Sequence, residues 1–366
     1  MSNIRLYHTK FFLYVFSLSF IFSEDVPIEY YGRNSFIIEG TAIADSLKEN
    51  PYDRLPISYK SIVREPVWDL SKNSAGLSIR FKTNSSLIRV KWKVLNDENM
   101  NHMTETGIKG VDLYFNNAGF WQYIGSGRPY EEKKNDQLII ENMKPKMREY
   151  RLYLPLYDGT EELEVGIDSL SIMEKPVKYA EKPIVFYGTS ITQGGCATRP
   201  GMAHTNIISR KLNVECINYG FSGNGRMEAE IAELIADIDA KFYVIECMAN
   251  VSKDQIKENT IPLVNIIREK HPKTPILFVE NIMFESGYLN QSVYNELSLE
   301  DEELRHQLNI LIHNGVQNLF YIESEGAIGY DHEGTVDGVH FTDLGFLRYA
   351  DFLIKQFENF GLITKK

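Results

Sequence analysis

The stretch "IVFYGTSITQGGCATRPGMAHTNIISR", Ile184 to Arg210, puts small hydroxyl residues and a Gly-rich loop directly after an apolar run. Two chemistries use such a pattern: a backbone cradle for phosphate, and a serine exposed at a strand end for nucleophilic attack. The phosphate patterns fail. G-x-x-x-x-G-K-[ST] needs a Lys that does not follow Gly194 or Gly195, and G-x-G-x-x-G fails because position 190 is Ser. The nucleophile elbow G-x-S-x-G is half met: Gly188 and Ser190 fit, and Thr192 stands where the second Gly belongs. A Ser after a strand is also a common helix cap, so Ser190 alone carries either reading.

A serine nucleophile needs a base, a group that orients the base, and donors for the oxyanion. "GTVDGVHFTDLG" supplies Asp337 and His340, three residues apart in one loop. "NYGFSGNGR" supplies Gly223, whose N–H is unhindered by a side chain, and "YVIECMANV" supplies Asn250, whose amide can donate to a developing oxyanion. Gly223 reads equally as a plain turn, and Asn250 as a turn or capping residue.

These candidates need elements that bring them together, and the second half of the chain has them. Near-continuous apolar strands are expected at 184–187, 214–219, 242–248, 276–279 and 319–322. Between them Met227, Ile231, Leu234, Ile235 and Ile238 fall at helical spacing, as do Leu304, Leu308, Leu311 and Ile312. Strands buried on both faces and alternating with helices predict a parallel α/β sheet, whose carboxyl ends are where ligands bind. Ser190, Gly223 and Asn250 each follow one strand end.

The first half has period two. "LSIRF" sets Leu77, Ile79 and Phe81 against polar alternates, and "LIRVKWKV" sets Ile88, Val90, Trp92 and Val94 against Arg89, Lys91 and Lys93. "YRLYL" and "ELEVGI" repeat the pattern, which predicts an antiparallel β-sandwich with one wet face per sheet. Two prolines and a charge run in "MEKPVKYAEKP" place the boundary near residue 176. The expected domains are therefore 24–176 and 177–366.

The chain order Ser190, Gly223, Asn250, Asp337/His340 resembles the four blocks of the SGNH (GDSL-type) hydrolase superfamily. "YGTSIT" matches its nucleophile block, "FSGNG" the second, and "DGVH" the D-x-x-H of the last. The third block usually reads G-x-N-D, and here only the Asn of Met248-Ala249-Asn250-Val251 is kept. "GVDLY", Gly110 to Tyr114, resembles the signature of the GxDLY domain that precedes such esterases in bacteria. The resemblance implies a jelly-roll-like β-sandwich before a flavodoxin-like α/β hydrolase domain, with no metal or organic cofactor. It implies acyl transfer to water by a Ser190-His340-Asp337 triad, with oxyanion donors from Ser190, Gly223 and Asn250. Arg199 and His204, in the loop after the nucleophile, are candidates for substrate contact. Glu246 has no role legible in the sequence, and nothing near Cys196 points to an activated thiolate. Asp331 and His332 lack the paired-His spacing of a zinc site.

Composition narrows the partners. The formal charge of −11 over 366 residues gives no advantage on nucleic acid. Arg5 and Lys10 precede the uncharged run Phe11 to Ser23, which reads as a signal peptide over 1–23; its removal takes the charge from −11 to −13. No later apolar run is long enough to span a bilayer. The three cysteines, Cys196, Cys216 and Cys247, make no disulfide framework and no zinc spacing. An exported esterase with a β-domain points to short-chain, acetyl esters on carbohydrate, with Trp68, Trp92, Trp121 and Tyr123 as candidates for stacking on sugar, although alternation favours a core place for Trp92. The alternatives are a broad short-chain carboxylesterase and a non-catalytic carbohydrate-binding protein.

Overall fold

A computed structural model describes residues 27–364; the expected signal segment, 1–23, lies outside the described residues. The N-terminal strands are β1 (Ile28–Tyr31), β2 (Ile37–Glu39), β3 (Ser78–Thr83), β4 (Ile88–Val94), β5 (Val111–Asn117), β6 (Phe120–Gly127), β7 (Lys134–Ile140), β8 (Arg148–Tyr153), β9 (Thr160–Asp168) and β10 (Met173–Glu174). They form two antiparallel sheets, β1-β9-β4-β7 and β10-β3-β8-β5-β6, with β2 added on β3. Apart from the short β2 and β10, the chain changes sheet at every step except the β5–β6 hairpin, which is jelly-roll wiring. The alternation does what it predicts: Leu77, Ile79 and Phe81 meet Val90, Trp92, Leu163 and Val165 in one core between the sheets.

The C-terminal strands are β11 (Ile184–Gly188), β12 (Cys216–Gly220), β13 (Phe242–Glu246), β14 (Ile276–Val279) and β15 (Leu319–Ile322), all parallel, in the order β12-β11-β13-β14-β15. The order reverses at β11, so the crevice for a ligand lies beyond the carboxyl ends of β11 and β13. Helices cover both faces, and two apolar cores result. Helices Ala229–Ala236, Lys253–Lys270 and Gln291–His313 pack one face, His204–Leu212 and Asp343–Asn359 the other. Met227 differs from its expected helical place: it precedes the helix in a left-handed conformation, φ +56°, yet is fully buried. No described helix is long and apolar enough to cross a membrane.

The β-domain is built into the hydrolase rather than tethered to it. Leu55, Val67 and Trp68 belong to one hydrolase core, and Met103, Ile108, Leu156 and Tyr157 to the other. Arg54, 2% exposed, spans the seam. Its guanidinium donates to the carbonyls of Leu70 (2.6 Å) and Asn73 (2.9 Å) on its own side and to Gly220 (2.6 Å) and Asn218 (3.3 Å) across it. Burial without a carboxylate lowers its pKa to about 9, so those four carbonyls are what keep the cation in place. Trp121 also serves the seam: its indole N–H donates to Asn213 at 2.8 Å and the Arg151 guanidinium lies 4.5 Å over its ring. Trp68 and Trp92 are buried and Trp121 is held at the seam, so these three aromatics named for sugar stacking are taken by packing, while Tyr123 is exposed with the Arg199 guanidinium 4.0 Å over its ring.

Candidate active site

Gly188 ends β11 because a side chain could not fit there: a Cβ would lie 2.1 Å from Thr192 Oγ1 and 2.9 Å from the Glu246 carbonyl. The backbone turns into the short helix Ser190–Gln193, and the capping residue is Thr189, whose hydroxyl accepts from Ile191 N at 3.3 Å. Ser190 is thereby free of the capping task. Its Oγ instead lies 2.9 Å from His340 Nε2, and His340 Nδ1 lies 2.7 Å from Asp337 Oδ2. The Asp337 Oδ1 accepts the N–H groups of Val339 (3.0 Å) and His340 (2.8 Å). Burial pulls the Asp337 pKa up, but the His340 ring and these two N–H groups outweigh it and hold it at about 2. A carboxylate fixed on Nδ1 leaves Nε2 as acceptor for the serine proton.

Gly223 sits at the carboxyl end of β12 with φ +67°, and a Cβ there would meet nothing within 4 Å, so conformation rather than space calls for glycine. Its turn is held by Gln193: Oε1 accepts Ser222 N at 3.0 Å, while Nε2 donates to Asn73 Oδ1 (3.0 Å) and the Leu156 carbonyl (3.1 Å) of the β-domain. Asn250 closes the turn Met248–Asn250 after β13. One amide N–H goes to the Ala249 carbonyl at 2.9 Å, the amide oxygen is buried without a partner, and the second N–H remains for a ligand.

The structure moves two expected substrate contacts elsewhere. His204 is fully buried: its Nε2 lies 3.1 Å from Glu246 Oε2, and its ring stacks on Phe346. Arg199 turns to the β-domain, where Nη1 donates to Asp112 Oδ2 at 2.8 Å and to the Tyr114 hydroxyl at 2.5 Å. Asp112 is the acid of "GVDLY". It is fully buried and also accepts Gly201 N (2.8 Å) and the Ser126 hydroxyl (2.6 Å). The signature therefore clamps the loop that follows the nucleophile.

Two residues near the site escaped the sequence reading. Glu246, at the end of β13, accepts from Thr192 Oγ1 (3.0 Å) and the Tyr349 hydroxyl (2.7 Å) as well as pairing with His204. It explains the Thr at the missing glycine of the elbow, because that hydroxyl ties the nucleophile helix to β13. A carboxylate ending an otherwise apolar strand was the signal. His102, from a β-domain loop, sets its ring edge-on to His340 with centroids 5.7 Å apart. Among the described residues, His102, Cys196, Asp337 and His340 are also the group able to approach one metal ion, with ligand atoms within 4.8 Å of one another. Both His340 nitrogens are already engaged by Ser190 and Asp337.

Residues 181–358 match the GDSL-like lipase/acylhydrolase family, and residues 28–173 the N-terminal domain of SGNH-type esterases. A GDSL-like lipase of Bacteroides ovatus is 36% identical, with a TM-score of 0.88 over 93% of this chain and all of the other. The chain belongs to the GDSL-like lipase/acylhydrolase family. Its reaction class is therefore that of an esterase or acyl hydrolase. The fold is shared with the salicylyl-acyltransferase SsfX3 of a tetracycline pathway, at TM-score 0.77, 15% identity and 93% and 99% coverage of the two chains. It is shared too with a family two carbohydrate esterase of Clostridium thermocellum, at TM-score 0.57, 13% identity and 79% and 93% coverage. No curated protein matches the chain.

Proposed function

We propose that this GDSL-like hydrolase is an exported esterase that removes short acyl groups, acetyl foremost, from carbohydrate, using Ser190, His340 and Asp337. The observation that carries the reading is the chain of hydrogen bonds from Ser190 Oγ to His340 (2.9 Å) and on to Asp337 (2.7 Å) at the carboxyl edge of the parallel sheet. His340 Nε2 takes the Ser190 proton as Oγ attacks the ester carbonyl. Asp337 fixes the tautomer and balances the imidazolium. The N–H groups of Ser190 and Gly223 and the free Asn250 N–H receive the oxyanion. Collapse of the tetrahedral intermediate expels the alcohol, which takes the proton from His340. A water activated by His340 then releases the acid and restores Ser190.

Two features support the finer parts. Beside Thr189 and Ile191, the chain neighbours of Ser190, is a cavity of about 20 Å³, room for about one water or a methyl group, whose wall holds Met248 and Ala249 together with Glu246 and Asn281. Carbohydrate esterases share the fold, and the uncharged run Phe11 to Ser23 supports export. Acetate release from a panel of acetylated polysaccharides, measured beside p-nitrophenyl acetate hydrolysis, tests the reading. Hydrolysis of the small ester without acetate from any glycan leaves a broad carboxylesterase; loss of both leaves a binding protein.

A further inference from the structure

A cavity of about 460 Å³ lies between the segments that follow β14 and β15, on the same sheet edge as Ser190. It shares a wall, Glu280, Asn281 and Ile282, with the small cavity beside Thr189 and Ile191. It is joined to the His340 loop as well: Glu285 N donates to the Gly338 carbonyl at 2.9 Å, one residue past Asp337. An alcohol leaving from an ester at Ser190 therefore has this cleft as a neighbour.

The lining fits a polyol. Tyr288, Tyr294 and Tyr330 are 60%, 47% and 75% exposed, large rings left in water beside a concave wall. Tyr288 is held edge-on by His332 at 4.7 Å, and His332 Nδ1 is held by Glu285 at 2.9 Å, so the ring is positioned rather than loose. Aromatic faces take the C–H faces of sugars, and carboxylates and amides take their hydroxyls. Asn281, 4% exposed, has a carboxamide oxygen with no donor, an acceptor that a sugar hydroxyl would satisfy. The charge selects further. Glu280, Glu285, Asp301 and Glu325 line the cleft, and no Lys or Arg does. The three glutamates among them repel an anionic ligand.

We propose that this cleft is the leaving-group subsite of the esterase and takes an uncharged acetylated sugar chain, stacked on Tyr288 and Tyr330 and held by hydroxyl contacts to Glu285 and Asn281. The inference rests on the carbohydrate-ester reading and adds which sugars are accepted and where they sit. Tyr288→Ala and Tyr330→Ala, both at exposed positions, are assayed with p-nitrophenyl acetate, acetylated xylo-oligosaccharides and acetylated oligogalacturonides. The expected result is a tenfold or greater rise in KM for the xylo-oligosaccharide, with the melting temperature unchanged and a much smaller rise in KM for p-nitrophenyl acetate, whose leaving group is a single ring. The wild-type enzyme should also prefer the neutral glycan over the uronide by tenfold or more. Acetylated glycans hydrolysed with the same KM by wild type and both variants would overturn the subsite and leave the carbohydrate reading intact. Uronides hydrolysed as well as neutral glycans would overturn the charge selection. No glycan hydrolysed, with p-nitrophenyl acetate still turned over, would remove the carbohydrate reading and the subsite together.

Discussion

Asp112 and Arg199 pair at 2.8 Å across the seam between the two domains, and the carboxylate holds Gly201 N at the same distance. The acid is fully buried while the guanidinium is about one quarter exposed, so the pair loses much of its hydration and gains it back in hydrogen bonds. Asp112→Ala leaves the cation with the neutral Tyr114 hydroxyl in place of a carboxylate and the Gly201 N–H without an acceptor. Removing one partner of a buried pair costs about 3–5 kcal/mol. We expect a loss near about 3 kcal/mol in denaturant unfolding, since Arg199 can still reach water. The loop from Cys196 to His204 adjoins His340, so kcat for p-nitrophenyl acetate should fall as well. A variant as stable as wild type would show that the signature does not clamp the loop.

Ser190→Ala and His340→Ala should lower kcat by roughly 10⁵-fold or more, and Asp337→Asn by less, roughly 10³–10⁴-fold, because the base is retained. Melting temperatures should stay near wild type for Ser190→Ala, whose hydroxyl bonds only to His340 among the contacts seen. Asp337 is held at about 2, so the stability it contributes is present above its unfolded value near pH 4 and is lost as the pH falls toward 2. Its charge therefore accompanies His340 through the neutral range. A Ser190→Ala enzyme with most of its activity would remove the serine from the mechanism.

How far the sequence carried these readings depended on where each residue's partners lie. Strands β3, β4, β8 and β9 were legible because their alternation is a local consequence of having one core face. Strand β6 was not: its edge position exposes Phe120 and Tyr123 and leaves no alternation. Helix Glu65–Ser71 buries Val67 and Trp68 in the hydrolase core, a burial set by tertiary contact that no local period announces. Ser190 and His340 were legible because hydroxyl and imidazole chemistry belongs to the side chains. His204 was misplaced because its partner, Glu246, lies 42 residues away and satisfies it in the interior. The link from Glu246 to Tyr349 spans 103 residues and has no sequence signal beyond the stray carboxylate.

Among p-nitrophenyl esters, kcat/KM should be highest for acetate and fall toward octanoate. Each methylene adds about 0.8 kcal/mol only if it leaves water for apolar surface. The cavity of about 20 Å³ beside Ile191 has room for about one methyl group, and Glu246, Glu280 and Asn281 share its wall. The larger cleft beyond it is ringed by carboxylates, which do not reward an alkyl chain. Measurements below micelle concentrations check this. A steady rise with chain length would overturn the acetyl preference.

Chelation should leave the rate unchanged, and added zinc should lower it. Burial and the nearby Asp337 push the Cys196 thiol up to about 12, so it stays protonated at neutral pH and is a poor ligand until a metal displaces its proton. A metal ion held by His102, Cys196, Asp337 and His340 would have to take the imidazole away from Ser190 or Asp337. Activity lost to EDTA and regained with zinc would contradict a mechanism carried by side chains alone.

Asp301 should make the fold less stable as the pH rises. Burial pushes its carboxyl up to about 7, against the lowering influence of the Asn281 N–H that it accepts at 2.9 Å. Its neighbour Glu300 is raised to about 7 in the same way. A carboxyl with a raised folded pKa binds more protons folded than unfolded between its two values. That contribution is fully present below about pH 4, where both states are protonated, and is lost as the pH climbs from there to about 7. Asp301→Asn keeps an oxygen to accept the Asn281 N–H and removes the ionisation. The melting temperature of the variant minus that of wild type should therefore rise between about pH 4 and about 7 and level off above, which isolates this group from every other titration the two proteins share. A difference that stays flat across the window would mean that Asp301 ionises in the fold as easily as in the unfolded chain.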